Sequence, residues 1–223
     1  MVTATMARTD EEIQRDVLSE LEWDARLQPN EIGVAVKDGI VTLTGWADSL
    51  IKKWAAEEAA LRVRGVKGVA NEIELRLPID AERPDADIAA AALRALKWDA
   101  AIPEDKVTVT VSRGWVTLEG EVDFLYQRVD AEWAVRRLMG VRGVTNLLSV
   151  KPGVSLPDLR QKIREALVRS ATIDAQRITV DVQGSKVVLS GTVRSWTERA
   201  QAERVAHSAP GVTTIENRIV VQP

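Results

Sequence analysis

Val41-Thr42-Leu43-Thr44-Gly45, followed twenty residues after that glycine by Gly65-Val66-Lys67-Gly68-Val69-Ala70-Asn71, decides the fold, because the same spaced pattern returns twice. The second occurrence is Val116, Leu118 and Gly120, then Gly140, Val141, Val144 and Asn146; the third is Val187, Leu189 and Gly191, then Gly211, Val212, Ile215 and Asn217. Glycine-to-glycine spacing is twenty and glycine-to-asparagine spacing six in every copy, whereas neighbouring copies lie 75 and 71 residues apart. Spacing kept within copies but not between them means complete folding units joined by unequal linkers. Three units of about 70 residues replace the one or two domains that length alone implies.

Each copy opens on a helical pattern. Ile13, Val17, Leu18 and Leu21 recur at helical spacing after Thr9-x-x-Glu12, the form of a capping box. Equivalent helices are predicted from about Ala86 to Trp98 (Ile88, Ala92, Leu93, Leu96) and from about Leu156 to Arg169 (Leu159, Ile163, Leu167). Leu27, Ile102 and Ile173 then close each unit from the following loop. Hairpins come next, with Ile32/Val34/Val36, Val107/Val109/Val111 and Ile178/Val180/Val182 at the period of a half-buried strand, and tight turns at Asp38-Gly39, Arg113-Gly114 and Gly184-Ser185. The glycine of V-x-L-x-G is expected where the return strand needs an unusual backbone or a close approach.

A second helix is expected from near Asp48, Asp123 and Ser195, its core face made small by Ala56/Ala131/Ala202 and Ala60/Val135/Ala206. Gly65, Gly140 and Gly211 are expected to cap it in the left-handed region. The last strands are Val69–Arg76, Val144–Val150 and Ile215–Val221. The reading is therefore an α+β protein of three tandem α-β-β-α-β units, at residues 10–78, 85–152 and 156–223, after an unstructured 1–9. Each unit is a mixed three-stranded sheet with two helices on one face. The opposite face carries Ala35, Lys37, Thr42 and Thr44, then Thr108, Thr110, Thr117 and Glu119, then Thr179, Asp181, Val188 and Ser190, polar enough to stand in water. Linkers with paired prolines, Pro78 to Pro84 and Pro152 to Pro157, are stiff, so contact between units is expected.

This unit, with V-x-L-x-G and G-V-x-x-[VI]-x-N in register three times, resembles the BON domain, named for bacterial osmotically inducible periplasmic and nodulation proteins. The resemblance covers nearly the whole chain. It implies a binding role, to phospholipid or to protein partners, of the kind met in envelope-stress proteins, secretins, mechanosensitive channels and outer-membrane-linked lipoproteins. A cytoplasmic relative joined to a LysM domain implies potassium binding as an alternative. No catalytic residues come with the resemblance.

Composition narrows the function from the other side. Without cysteine there is no disulfide framework or thiolate metal site, and one histidine, His207, makes neither a multi-histidine metal site nor a triad. P-loop, dinucleotide-binding and nucleophile-elbow patterns are missing, so no enzyme and no cofactor are expected, K⁺ apart. A net charge of −3 argues against a general nucleic-acid binder. That charge is graded: ten basic and fifteen acidic groups in residues 1–80, ten and eleven in 81–153, ten and seven in 154–223. The start of the chain reads as no signal peptide and no apolar run reaches the roughly 18 residues of a membrane span, so a cytoplasmic location is expected, or a periplasmic one if a leader has been removed.

Seven tryptophans stand against one tyrosine and one phenylalanine. Trp23 and Trp98 match each other at the end of the first helix; Trp196 matches Leu50 and Leu125 and is expected in a core; Trp115 matches Ile40 as strand-end packing. Trp46 and Trp133 replace residues that are polar in the other copies, which marks them as candidate contacts with another unit, a membrane or a partner. Lys53, Arg128 and Arg199 share one helix position, a repeated basic spot able to meet a phosphate headgroup or a carboxylate. His207 is expected at the surface. The function expected is that of a non-enzymatic binding protein in osmotic or envelope stress, contacting phospholipid or protein, with potassium sensing and an interaction scaffold as alternatives.

Overall fold

Helix α1 (Asp10–Trp23) starts as the sequence predicts: Thr9 Oγ1 accepts from Glu12 N at 3.2 Å, and Thr9 N donates to the Glu12 carboxylate at 3.0 Å. The computed structural model describes residues 8–151 and 158–222. Ile13, Val17 and Leu21 are buried along α1, but Leu18 falls outside the stripe and is exposed. In α3 (Asp85–Trp98) Ile88, Ala92 and Leu96 are buried and Leu93 is exposed for the same reason. A third apolar position one residue from the seam lies about 100° around the helix. Helix α5 (Leu159–Arg169) buries Leu159, Ile163 and Leu167; the expected start near Leu156 and the linker Pro152 to Pro157 lie outside the described residues.

In the first copy β1 (Ile32–Lys37) pairs antiparallel with β2 (Ile40–Ala47), Ile32 opposite Gly45 and Lys37 opposite Ile40. After α2 (Leu50–Arg62) the chain returns as β3 (Gly68–Asn71), parallel to β2, then β4 (Glu74–Leu75). The second copy repeats this with β5 (Val107–Ser112), β6 (Trp115–Val122), α4 (Leu125–Arg136), β7 (Gly143–Asn146) and β8 (Ser149–Val150). The third has β9 (Ile178–Gln183), β10 (Lys186–Val193), α6 (Trp196–His207) and β11 (Thr214–Val221), in the order β11-β10-β9. The fold is thus α+β in three repeated units. By contacts the chain divides into two compact bodies: residues up to Arg76 with Arg194–Thr197 and the end from Val221, and Leu77–Val193 with Glu198–Val220.

The core of each copy is the motif itself. Val41, Leu43, Val116, Leu118, Val187 and Leu189 are fully buried against Ala56, Ala60, Ala131, Val135, Ala202 and Ala206, whose small side chains bring the second helix close to the sheet. The motif glycine takes a positive φ in all three copies, 108° at Gly45, 134° at Gly120 and 123° at Gly191. A Cβ there would lie 2.0 Å from a carbonyl oxygen of the 3-10 turn before the hairpin, that of Glu31, Lys106 or Arg177. The turn closes each unit by pressing its last carbonyl onto the bare glycine.

The structure departs from the expectations at several further points. The second helix starts one or two residues later than expected: Ser49 caps α2, and in the second copy Gln127 Oε1 accepts from Asp123 N and Phe124 N at 3.0 Å, while Asp48 and Asp123 pair instead with Lys52 and Lys106. Gly65, Gly140 and Gly211 have positive φ but lie three or four residues past the last helical residues Arg62, Arg136 and His207, in the turn to the last strand rather than at the cap. That strand is not continuous in the first two copies. Asn71 Oδ1 accepts from Ile73 N at 3.3 Å and Asn146 Oδ1 from Leu148 N at 3.2 Å at the interruption, but Asn217 Oδ1 accepts from Ile219 N at 3.1 Å within the unbroken β11, so this bond alone does not break the strand. Finally, the open face of the third hairpin is not all exposed, since Val188 is buried there.

A feature absent from the sequence reading clamps the hairpin tips. The Asp10 carboxylate accepts from Asp38 N and Gly39 N at 2.7 and 2.8 Å, and Asp85 accepts from Arg113 N and Gly114 N at 2.8 Å each. Arg8 and Thr9, expected in an unstructured lead-in, join the first copy: Arg8 donates to Arg64 O at 2.9 Å and pairs with Asp16. Residues 1–7 lie outside the described residues.

Candidate functional site

Lys53, Arg128 and Arg199 are brought to one structural place, beside the asparagine of the last strand, which is interrupted there in the first two copies and continuous in the third. Lys53 Nζ donates to Ile73 O at 2.7 Å, the Arg128 guanidinium to Asn146 O at 3.4 Å, and that of Arg199 to Asn217 O and Ile219 O at 3.1 Å. At the same place Asn71, Asn146 and Asn217 donate to Glu57, Glu132 and Glu203 at 3.1, 3.2 and 2.9 Å. The three basic head groups therefore serve strand carbonyls, each half-buried.

Trp46 is half-buried on the open sheet face with the Arg76 guanidinium 6.0 Å from its ring centroid. Trp133, on α4, is stacked under Arg136 at 4.1 Å and Arg137 at 5.3 Å. Its ring lines a groove of about 330 Å³ with Tyr126 and Asp130 of α4 and Glu203, Arg204 and His207 of α6. Trp196, expected in a core, is half-buried instead; its indole N–H donates to Val66 O at 3.0 Å, a bond that the leucines in its place in the other copies cannot make.

His207, expected at the surface, is half-buried in that groove with Glu203 4.0 Å away. Burial pushes its imidazole below the usual value, Glu203 opposes this, and Arg128 adds to it. A histidine held neutral in the fold contributes stability that is complete above the ordinary value of 6.5 and is lost as pH falls through it, because the unfolded chain then binds the extra proton. Asp130 is raised, first by burial and then by Asp99, and works in the opposite sense. Comparison with His207→Asn isolates the imidazole. Between pH 7.5 and 5.5 the wild-type melting midpoint is expected to fall by more than that of the variant, read by circular dichroism.

The largest exposed aromatics are elsewhere. Trp23 and Trp98, at the last position of α1 and α3, are 84% and 87% exposed. Both project from helix ends that are firmly held. Asp24 accepts from Arg26 N, from the Arg26 guanidinium at 2.7 and 2.9 Å, and from Arg62 at 3.3 Å, and Arg26 above all holds its carboxyl well below the usual range. Asp99 accepts from Ala101 N at 3.0 Å. The loop amides of Leu27 and Ile102 return to Asp24 O and Asp99 O, so buried Leu27 and Ile102 anchor the chain directly behind each tryptophan. The signal in the sequence is the repeated Trp-Asp-Ala at 23–25 and 98–100; it identifies equivalent places but not their exposure. In the third copy Arg169 takes the place, beside exposed Val168.

Among the described residues no group of three or more His, Asp or Glu side chains is placed to hold a metal ion, and no helix is long and apolar enough to cross a membrane.

Comparison with known proteins agrees with the repeat. The BON domain family matches residues 9–76, 84–152 and 155–223. Osmotically-inducible protein Y of Escherichia coli (strain K12) is 28% identical over 127 residues, 52% of this chain and 62% of that protein, so the match spans less than two thirds of the relative. Two structures of CdsD, a structural protein of the type III secretion system of Chlamydia trachomatis, align over 95% and 97% of this chain and 93% and 100% of theirs, at 13% and 12% identity. Their TM-scores of 0.27 and 0.26 are too low to relate the chains as wholes. With all three copies matched in register, the chain belongs to the BON domain family.

Proposed function

We propose that this protein is a non-enzymatic binding protein of osmotic or envelope stress adaptation that docks on phospholipid headgroups through Trp23 and Trp98. The observation that carries the reading is the pair of tryptophans, 84% and 87% exposed, at matching ends of two rigid helices. A monomer in water gains nothing by holding an indole there. At a membrane interface the ring enters the headgroup layer while its N–H stays hydrogen-bonded. Burying half of a ring of about 200 Å² at about 25 cal/mol per Å² is worth roughly 2.5 kcal/mol, so each tryptophan contributes at least about tenfold in affinity. The similarity to an osmotically inducible protein supports the stress setting.

The test is co-sedimentation with phospholipid vesicles. Wild-type protein is expected in the pellet, and Trp23→Ala/Trp98→Ala is expected to need about 100-fold more lipid for the same bound fraction. Both residues are exposed, so the double variant keeps its fold. Wild-type protein that stays in the supernatant at every lipid concentration would overturn the reading in favour of a protein partner.

A further inference from the structure

The second copy carries an arginine-lined groove. It has a volume of about 410 Å³ and is lined by three arginines from three separate segments: Arg83 from the linker, Arg113 from the hairpin tip and Arg142 from the turn after α4. Two glycines bring these segments together. A Cβ on Gly114 would lie 2.7 Å from Gly140 O and 3.1 to 3.2 Å from the Arg142 stem, and one on Gly140 would lie 3.0 Å from Arg83 Cβ.

The three arginines share the groove with two carboxylates, Glu82 and Asp85. Asp85 is occupied by the Arg113 and Gly114 amides. Arg83 donates from one nitrogen to Asp80 O and Glu82 O, at 2.6 and 2.8 Å, and from another to Met139 Sδ at 2.8 Å, which fixes its guanidinium at the rim. Arg142 donates to the Glu82 carboxylate at 3.0 Å, which shows that an oxyanion seats there. The Arg113 guanidinium has no carboxylate partner among the described residues. In the first copy the equivalents of Arg83, Arg113 and Arg142 are Arg8, Asp38 and Lys67, with Lys67 donating to Asp38 O. In the third, Arg113 and Arg142 become Gly184 and Thr213. The same segments meet in the first copy, where Gly39 approaches Gly65 O and Lys67 and Gly65 approaches Arg8, so the meeting belongs to the scaffold and the three-arginine set to copy two.

We propose that this groove is an oxyanion site that takes a phosphate group, with Arg113 and Arg142 as its binding residues, Arg83 positioned at the rim, and Glu82 as an internal competitor that the ligand displaces from Arg142. Guanidinium forks match phosphate oxygens two at a time, which lysine cannot do. The phosphate belongs either to a small soluble molecule or to a lipid headgroup. The site stands apart from the tryptophan contact, since Asp85 and Trp98 are opposite ends of α3, about 20 Å apart.

Pyrophosphate titrated calorimetrically into the full chain at low ionic strength tests the soluble source, and vesicles of phosphatidylcholine with and without phosphatidylglycerol test the headgroup. Arg113→Asp reproduces the residue the first copy holds at the same tip conformation, φ 54° against 51°, so the variant folds. It is expected to weaken pyrophosphate about tenfold. Arg142→Lys, again the first copy's residue, is expected to weaken it severalfold, and Glu82→Gln to tighten it about threefold. Trp23→Ala/Trp98→Ala is expected to leave pyrophosphate binding unchanged, so this site and the membrane reading can fail separately. A response to Arg113→Asp in either arm supports the site and identifies the source. Affinity for both probes unchanged in Arg113→Asp, or no wild-type binding to either, overturns it.

Discussion

Gly120→Ala is expected to unfold the second copy while the rest of the chain stays folded. The added methyl would sit 2.0 Å from Lys106 O, at a residue whose φ is 134°. Holding an L-residue in such a conformation costs about 1–3 kcal/mol, and forcing the 3-10 turn away costs about 1–3 kcal/mol more. A unit of this size has about 3.5–10 kcal/mol to lose, so the combined loss of about 2–6 kcal/mol removes a large part or all of its margin. Hydrogen exchange read peptide by peptide is the suitable measurement, because three units need not unfold together. Protection is expected to vanish across α3 to β8. Gly68→Ala is the control: its φ is ordinary and a Cβ there meets nothing within 4 Å, so protection is expected to stay as in the wild type. Protection in Gly120→Ala equal to that in Gly68→Ala would contradict the close-approach account.

The second large effect is expected at Asn146. Its Nδ2 donates to Arg128 O at 2.7 Å and to Glu132 at 3.2 Å, while Oδ1 accepts from Leu148 N at 3.2 Å. Leu148 is 2% exposed, so Asn146→Ala leaves an amide at a buried residue without its acceptor. An unsatisfied buried amide costs about 1–3 kcal/mol, and the lost tie between α4 and the last strand adds about 1 kcal/mol. Urea unfolding followed at the second copy should show a midpoint lowered by more than 1 M, for a slope of about 1–2 kcal/mol per M and a loss of about 2–4 kcal/mol. A midpoint within 0.3 M of the wild type would show that the asparagine does no more than occupy the bend.

These two residues also show where the sequence is legible. Val41, Leu43 and Gly45 with their two repeats declare strand, core face and turn, because period and spacing are carried by residue type alone. Asn71 and Asn146 do not declare the strand break, because Asn217 at the matching position receives the same amide within an unbroken strand. Lys53, Arg128 and Arg199 were legible as one repeated position, but the carbonyls their head groups reach lie on a strand eighteen or twenty residues away. Trp196 shares its place with Leu50 and Leu125, which are buried, and differs because an indole also carries a donor. Trp23 and Trp98 were legible as equivalents; their exposure depends on the helix ending at that residue and on Leu27 and Ile102 taking the core position behind it. The arginine groove was least visible, since Arg83, Arg113 and Arg142 are joined only by the contact between Gly114 and Gly140.

On the proposed function, binding belongs to the two helix-end tryptophans and not to tryptophans in general. Vesicle co-sedimentation of Trp23→Ala/Trp98→Ala beside Trp46→Ala/Trp133→Ala tests it most directly, since each pair removes two indoles. The account predicts a loss of about 100-fold in lipid affinity for the first pair and less than about threefold for the second, whose rings are partly covered and engaged by Arg76, Arg136 and Arg137. Equal losses in the two pairs, or a loss confined to Trp46 and Trp133, would contradict it.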